Sequence, residues 1–272
     1  MFQQRDKIIK PTYKLGSVVF SITNCDAVLE REFEMLLPIC PPNNSAPNRN
    51  FDAQKESINH IVDLINLVHK KHEGTLWILA ASVVSPSGRK VLISGPSHAG
   101  KSTMAMALVM GYGWKVLSED ITHIDLTNDE IINFGSPFAI KLGAPDLIEA
   151  AVKADLTSVE LSPAEPSAWI PLDSNSVGHN LKAPFDLIVY LEPFKGGDFS
   201  CEKISPAEYV RAILPGSNIA RMRDAANKIY DYVLQGRCYR LAEGNLTQRL
   251  EKIIQLCEGT AVNKGEETPH EF

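Results

Sequence analysis

Residues Ser94 to Thr103 read "SGPSHAGKST", between "RKVLI" and "MAMALVMGYGW". Gly95, Gly100, Lys101 and Ser102 fall on the pattern G-x-x-x-x-G-K-[ST], in which a glycine-rich turn and a lysine cradle phosphate groups. So short a match can arise by accident, and the segments on either side decide it. Upstream, "TLWILAASVV" (75–84) and "RKVLIS" (89–94) read as strands, rich in aliphatic and β-branched residues. The "SPSG" between them is turn chemistry, which predicts an antiparallel hairpin. Downstream, "KSTMAMALVM" reads as a helix, with Gly111 and Gly113 where a helix stop belongs. "WKVLS" (114–118) is a further strand. Strand, glycine loop, helix, strand is the order the pattern requires, and it predicts an α/β fold in which helices flank a mixed β-sheet.

Such a loop holds anions for two reasons. Its backbone N–H groups turn inward, and the following helix offers the unpaired amides and positive dipole end of its first turn. Residues Gly95, Pro96, Ser97, His98, Ala99, Gly100, Lys101, Ser102 and Thr103 are therefore the expected nucleotide contacts. Lys101 reaches toward the outer phosphates as a point charge, and Ser102 supplies a hydroxyl for Mg²⁺. Phosphoryl transfer also needs carboxylates, one for the metal and one for the attacking oxygen. Glu119 and Asp120 end the strand after the helix, which predicts a place beside the loop. The expected catalytic set is Lys101, Glu119 and Asp120; the expected metal ligands are Ser102 and Asp120, with ATP and Mg²⁺ bound.

The remaining segments are ordinary α/β material. "KLGSVVFSIT" (14–23) reads as a strand, "AVLEREFEMLLP" (27–38) as a short helix, and "CPPNNSAPNRN" (40–50) as a loop. Ile58, Ile61, Val62, Ile65 and Val68 recur at helical spacing and predict an amphipathic helix over 57–71. "THIDL" and "EIINFGSPFAIKLG" read as β-structure and loop, and 156–184 carries little pattern. "FDLIVYLEP" (185–193) is a buried strand, and Ser205 with Glu208 forms a capping box that opens a helix. A longer helix is expected from about Asn218 to Gln235, then a short strand "CYRLA" and a last helix "NLTQRLEKIIQLCEG". The expectation is one unit over 1–258, with N-terminal elements in 1–72, a nucleotide-binding core in 75–145, a C-terminal part in 185–258, and a disordered tail over 259–272.

Composition narrows the class. Of 272 residues, 44% are hydrophobic and 22% charged, enough apolar material for one large core or two small ones. A net charge of -6 argues against a protein held on nucleic acid by charge. No apolar run is long enough to cross a bilayer, and the first sixteen residues lack the apolar core of a secretion signal. Cys25, Cys40, Cys201, Cys238 and Cys257 lie far apart with no C-x-x-C pair, and read as reduced thiols of a cytoplasmic protein.

The stretch from Ile78 to Leu126, with its hairpin, loop and acidic pair, resembles the catalytic domain of HPr kinase/phosphorylase and its related proteins. That family has a phosphate-loop fold similar to that of phosphoenolpyruvate carboxykinase. "FGSPFAIKLG", "FDLIVYLEP", "ISPAEYVRAILPG" and "CYRLAEGNL" are similar to the related subgroup. The resemblance implies that Glu119 is the base and Asp120 the metal ligand, although the family's pair is usually Asp-Asp. It also implies homo-oligomeric assembly. Ala80 stands where HPr kinases carry a histidine and His98 where their loop has its central glycine. The glutamate signature and separate N-terminal domain of those enzymes have no counterpart. The likeness is thus to the related proteins, some of which phosphorylate a serine of a ribosomally made peptide, as in lasso-peptide tailoring.

The expected activity is transfer of the γ-phosphoryl group of ATP to a serine or threonine of a peptide or small protein. The alternatives are a nucleotide-binding regulator without chemistry, and a small-molecule kinase acting, for example, on free serine. His98 reads as a solvent-facing loop position, while His123 and His179 have no partner in the sequence and take no role. Lys141, Arg221, Arg223, Arg237 and Arg240 read as surface cations, and 162–179 as a lid or acceptor-binding loop.

Overall fold

The computed structural model describes residues 12–15, 18–37, 39–40, 47, 49–71, 74–141, 159–160, 167–170 and 180–259. The chain begins with two short strands, β1 (Thr12–Leu15) and β2 (Val18–Thr23), paired antiparallel. The single strand expected over 14–23 is therefore a hairpin, because alternate residues on both arms pack inward. Helix α1 (Ala27–Leu36) starts where the Asp26 carboxylate accepts the Val28 and Leu29 N–H groups. β3 (Ile39–Cys40) pairs with β1, and β4 (Arg49–Asp52) lies parallel to β2. Helix α2 (Ile61–Lys71) begins four residues later than its periodicity suggests. The Asp63 carboxylate accepts from the amides of Asn59 and His60 and fixes the start there. Tyr13, Phe20, Phe33 and Phe51 fill the core between this sheet and the two helices.

The second sheet has nine strands among the described residues. β5 (Leu76–Val84) and β6 (Lys90–Ser94) form the expected hairpin, with Ala80 opposite Ser94 and Val84 opposite Lys90. α3 (Lys101–Tyr112) follows the glycine loop and stops at Gly113, whose φ of 68° is left-handed. β7 (Lys115–Ser118) and β8 (Ile121–Asp125) lie end to end along β5, both antiparallel to it. β9 (Glu130–Ile132) and β13 (Leu181–Lys182) extend that side. A separate three-stranded sheet joins β10 (Phe138–Lys141), β11 (Val159–Glu160) and β12 (Ser167–Ile170). On the far side of β6 lie β14 (Leu187–Leu191) and then β16 (Arg237–Ala242), both parallel, and β15 (Ser200–Lys203) closes the edge antiparallel to β16. The fold is α/β with mixed sheets, as the sequence pattern predicts.

Helices cover both faces. Met104 to Val109 of α3 are all buried, so this helix is apolar on every side and must be sandwiched. One side meets the sheet; the other meets α6 (Leu246–Glu258) through Leu250, Ile253 and Cys257. Burying each Leu, Ile or Met side chain there contributes about 1.5–3 kcal/mol. The opposite face is covered by α4 (Pro206–Ile213), opened by the Ser205–Glu208 capping box, and α5 (Ala225–Gln235). The long helix expected over 218–235 is shorter, since residues 219–221 form a 3₁₀ turn. The reason lies in Asn218, whose side chain accepts from Trp77 N–H and donates to Thr75 C=O, tying that segment to β5. Residues 161–166, 171–179 and 260–272, with most of the predicted lid and tail, lie outside the described residues, as does the side chain of Lys141.

Candidate functional site

The site is built at the C-terminal end of β6. Gly95 is held at φ 149°, and a Cβ placed there would sit 2.4 Å from the Leu191 carbonyl oxygen. Only glycine lets the chain pass that close to β14 before turning. The turn closes as Ala99 N–H donates to Pro96 C=O at 3.2 Å. His98 is left-handed at φ 65°, a conformation uncommon for a residue that carries a side chain. Gly100, at φ 89°, caps α3 without a side chain. The first intrahelical bond runs from Met104 N–H to Gly100 C=O. The amides of the turn ahead of it therefore face out of the helix end, where the dipole is positive.

Lys101 folds back along this end. Its ammonium donates to Pro96 C=O at 3.0 Å, and the residue is buried. Ser102 and Thr103 are partly exposed on the same turn. They open on a cavity of about 300 Å³ whose other wall is the acidic pair, Glu119 and Asp120, with Met106 and Ala139. Ser97, His98, Gly100 and Lys101 complete the lining on the loop side. Of the nine predicted loop residues, Gly95 and Pro96 line a different cavity, which Ser97 shares with this one. Ala99 is buried beneath it in the core around α3.

The acidic pair occupies the break between β7 and β8. Ala80 N–H donates to Asp120 C=O at 2.9 Å, and Thr122 Oγ1 donates back to Ala80 C=O at 2.9 Å. The Ser118 hydroxyl donates to Ile121 C=O and closes the bulge. Both residues line the cavity, Glu119 from a buried position and Asp120 from an exposed one. β5 stands between β6 and β7, which run in the same direction, so loop and acids share one sheet edge. Ala80 itself packs into the other core cluster with Leu92, Ile188 and Tyr209.

Some residues fall elsewhere. Arg221 and Arg223 are exposed and Arg240 pairs with Glu192 and Glu202; with Arg237, they lie outside the cavity lining. His179 lies outside the described residues. His123, unpartnered in the sequence reading, has two partners in the structure: His69 Nδ1 at 2.8 Å from its Nε2, and Thr75 Oγ1 at 2.9 Å from its Nδ1.

Arg249 escaped the sequence reading altogether. It is 5% exposed on α6, where its Nε donates to Glu243 C=O at 2.7 Å and its Nη1 to Ala99 C=O at 3.4 Å. It braces the loop from below. The signal for it was a charged residue beside the apolar stripe Leu246, Leu250, Ile253 and Cys257.

Among the described residues, no helix is long and apolar enough to cross a membrane. No protein-family model matches the chain, and no curated protein matches it. Among solved structures, the Hpr(Ser) kinase/phosphatase from Coxiella burnetii is similar at 12% identity and a TM-score of 0.32, over 67% of this chain and 94% of that one. At that TM-score the likeness carries no argument about activity.

Proposed function

We propose that the chain is a phosphotransferase that binds ATP on the 95–103 loop and moves the γ-phosphoryl group to a serine or threonine hydroxyl of a peptide or small protein. One observation carries this reading: the loop with Lys101 and the acidic pair line a single cavity. A polyphosphate requires the first wall and the attacking hydroxyl the second. The Lys101 ammonium exchanges the Pro96 carbonyl for a phosphate oxygen, and the first-turn amides of α3 take the remaining charge.

Glu119 accepts the proton of the attacking hydroxyl. Glu119 lines the cavity from a buried position. The Ser102 hydroxyl and the Asp120 carboxylate are hard oxygen donors that suit Mg²⁺, which needs few protein ligands when phosphate and water fill the others. When bound, that ion offsets charge on the transferring group.

Calorimetry with Mg·ATP and transfer from labelled ATP to serine peptides test the proposal. Lys101→Ala is expected to weaken nucleotide binding and lower turnover about 100- to 1,000-fold. Transfer by Lys101→Ala at the wild-type rate refutes it. A second reading, a nucleotide-binding regulator, is favoured by Ala80, whose methyl lies in the core where the resembling enzymes have an imidazole. ATP binding with no transfer, unchanged by Glu119→Asp, would support that reading instead.

A further inference from the structure

A second cavity, of about 250 Å³, meets the first at Glu119, Asp120 and Ala139. Its outer wall belongs to α2, which contributes Val62, Ile65, Asn66 and His69; its remaining wall is Ile121 with the Ser136–Pro137 turn. We infer that this cavity is the acceptor subsite: it takes a serine or threonine of a peptide together with one adjoining apolar side chain. The inference rests on the phosphotransferase reading above and gives that reading its substrate entrance.

Position comes first. The same two acidic residues line both cavities, so a hydroxyl entering along α2 arrives opposite the phosphates. Its oxygen forms the new bond to the γ-phosphorus. The bond from that phosphorus to the bridging oxygen breaks, ADP leaves with the electron pair, and the hydroxyl proton passes to Glu119.

The lining defines the occupant. Val62, Ile65, Ile121 and Pro137 present an apolar surface, which suits an aliphatic neighbour of the serine. Asn66 can both donate to and accept from a peptide group. The volume, at the small end of ligand sites, suits one or two residues. Two carboxylates at its floor disfavour an anionic acceptor. The wall is also fixed in advance. His69 is stacked on Phe134 with centroids 3.9 Å apart and bonded to His123, which is 2% exposed and held by Thr75. A wall already ordered loses little freedom when an acceptor arrives.

The test uses the full chain, with N-acetyl-leucyl-serine amide as probe and N-acetyl-aspartyl-serine amide as its acidic counterpart. Three quantities are measured: affinity for a fluorescent ATP analogue, phosphate transfer from Mg·ATP, and amide exchange over residues 61–69. The leucyl probe is expected to slow exchange over 61–69 and to be phosphorylated faster than the acidic one. Asn66 is exposed, so Asn66→Trp should block the mouth without disturbing the core. It should leave nucleotide affinity unchanged, abolish the probe's protection, and reduce transfer about 100-fold, the loss a misplacement of about 1 Å brings. Asn66→Ala removes the amide without filling the mouth; it should weaken binding of the probe but lower transfer far less than Asn66→Trp. Transfer by Asn66→Trp at the wild-type rate overturns the inference. So does failure of the leucyl probe at millimolar concentration to protect 61–69, or protection without transfer. Failure of the ATP analogue to bind strikes instead at the phosphotransferase reading, and the exchange measurement still judges the cavity.

Discussion

Gly95→Ala provides the sharpest test of how the loop is built. The added methyl would lie 2.4 Å from the Leu191 carbonyl oxygen, about 0.9 Å inside an ordinary carbon–oxygen contact of about 3.3 Å. That oxygen belongs to the backbone at the end of β14, in the middle of the sheet, and has little room to yield. Holding a non-glycine residue in so sparsely populated a backbone conformation costs about 1–3 kcal/mol. The steric intrusion adds about 1–3 kcal/mol more. With an m-value of about 3 kcal/mol/M, the total of about 2–6 kcal/mol lowers the urea midpoint by about 0.7–2 M. Gly100→Ala is the matched control, because it has a left-handed φ of 89° but nothing within 4 Å of the new methyl. It should lose only the backbone part, about 1–2 kcal/mol. Urea unfolding followed by circular dichroism reads both. A Gly95→Ala midpoint equal to that of Gly100→Ala would refute the claim that contact with β14, rather than backbone angle alone, demands glycine.

Two further outcomes are expected. Arg249→Met leaves the Ala99 and Glu243 carbonyls without their cationic donor; stability should fall by about 1.5–3 kcal/mol, and nucleotide affinity should weaken in calorimetry because the brace under the loop is gone. An affinity identical to wild type would show that the brace serves stability alone. Glu32 is buried, and burial raises its carboxyl above the ordinary value, against the lowering effect of the Ile61 N–H and of His60. A raised acid binds its proton more tightly in the folded chain, so this stabilisation is complete below the unfolded value and lost as pH rises through the folded one. Glu32→Gln keeps an acceptor for Ile61 and should therefore raise the melting temperature at about pH 7.5 and lose that advantage near pH 4. An equal gain at both values would contradict the burial account.

What could be read in the sequence was local chemistry. The 76–94 hairpin, α3 and its Gly113 stop, and the Ser205 capping box each depend on residues within a few positions of one another. The acidic pair was legible for the same reason, one helix and one strand beyond the loop. β15, "SCEK", was missed because it is a polar edge strand in which Cys201 alone is half-buried. The 218–235 segment was misread because the Asn218 side chain bonds to backbone 141 and 143 positions away, which no helical period records. His69 and His123 meet across 54 positions, and α2 reaches the acidic pair from outside the 75–145 core. Such pairings are set by packing between elements, on which a short window of sequence is silent.

The brace from Arg249 also has a consequence for biosynthesis. The carbonyl it holds lies 150 positions earlier, at Ala99. A growing chain thus carries the complete glycine turn through 150 further residues of translation before the residue that steadies it emerges. Chains that end before α6 should therefore expose the turn to proteolysis more readily than the full chain.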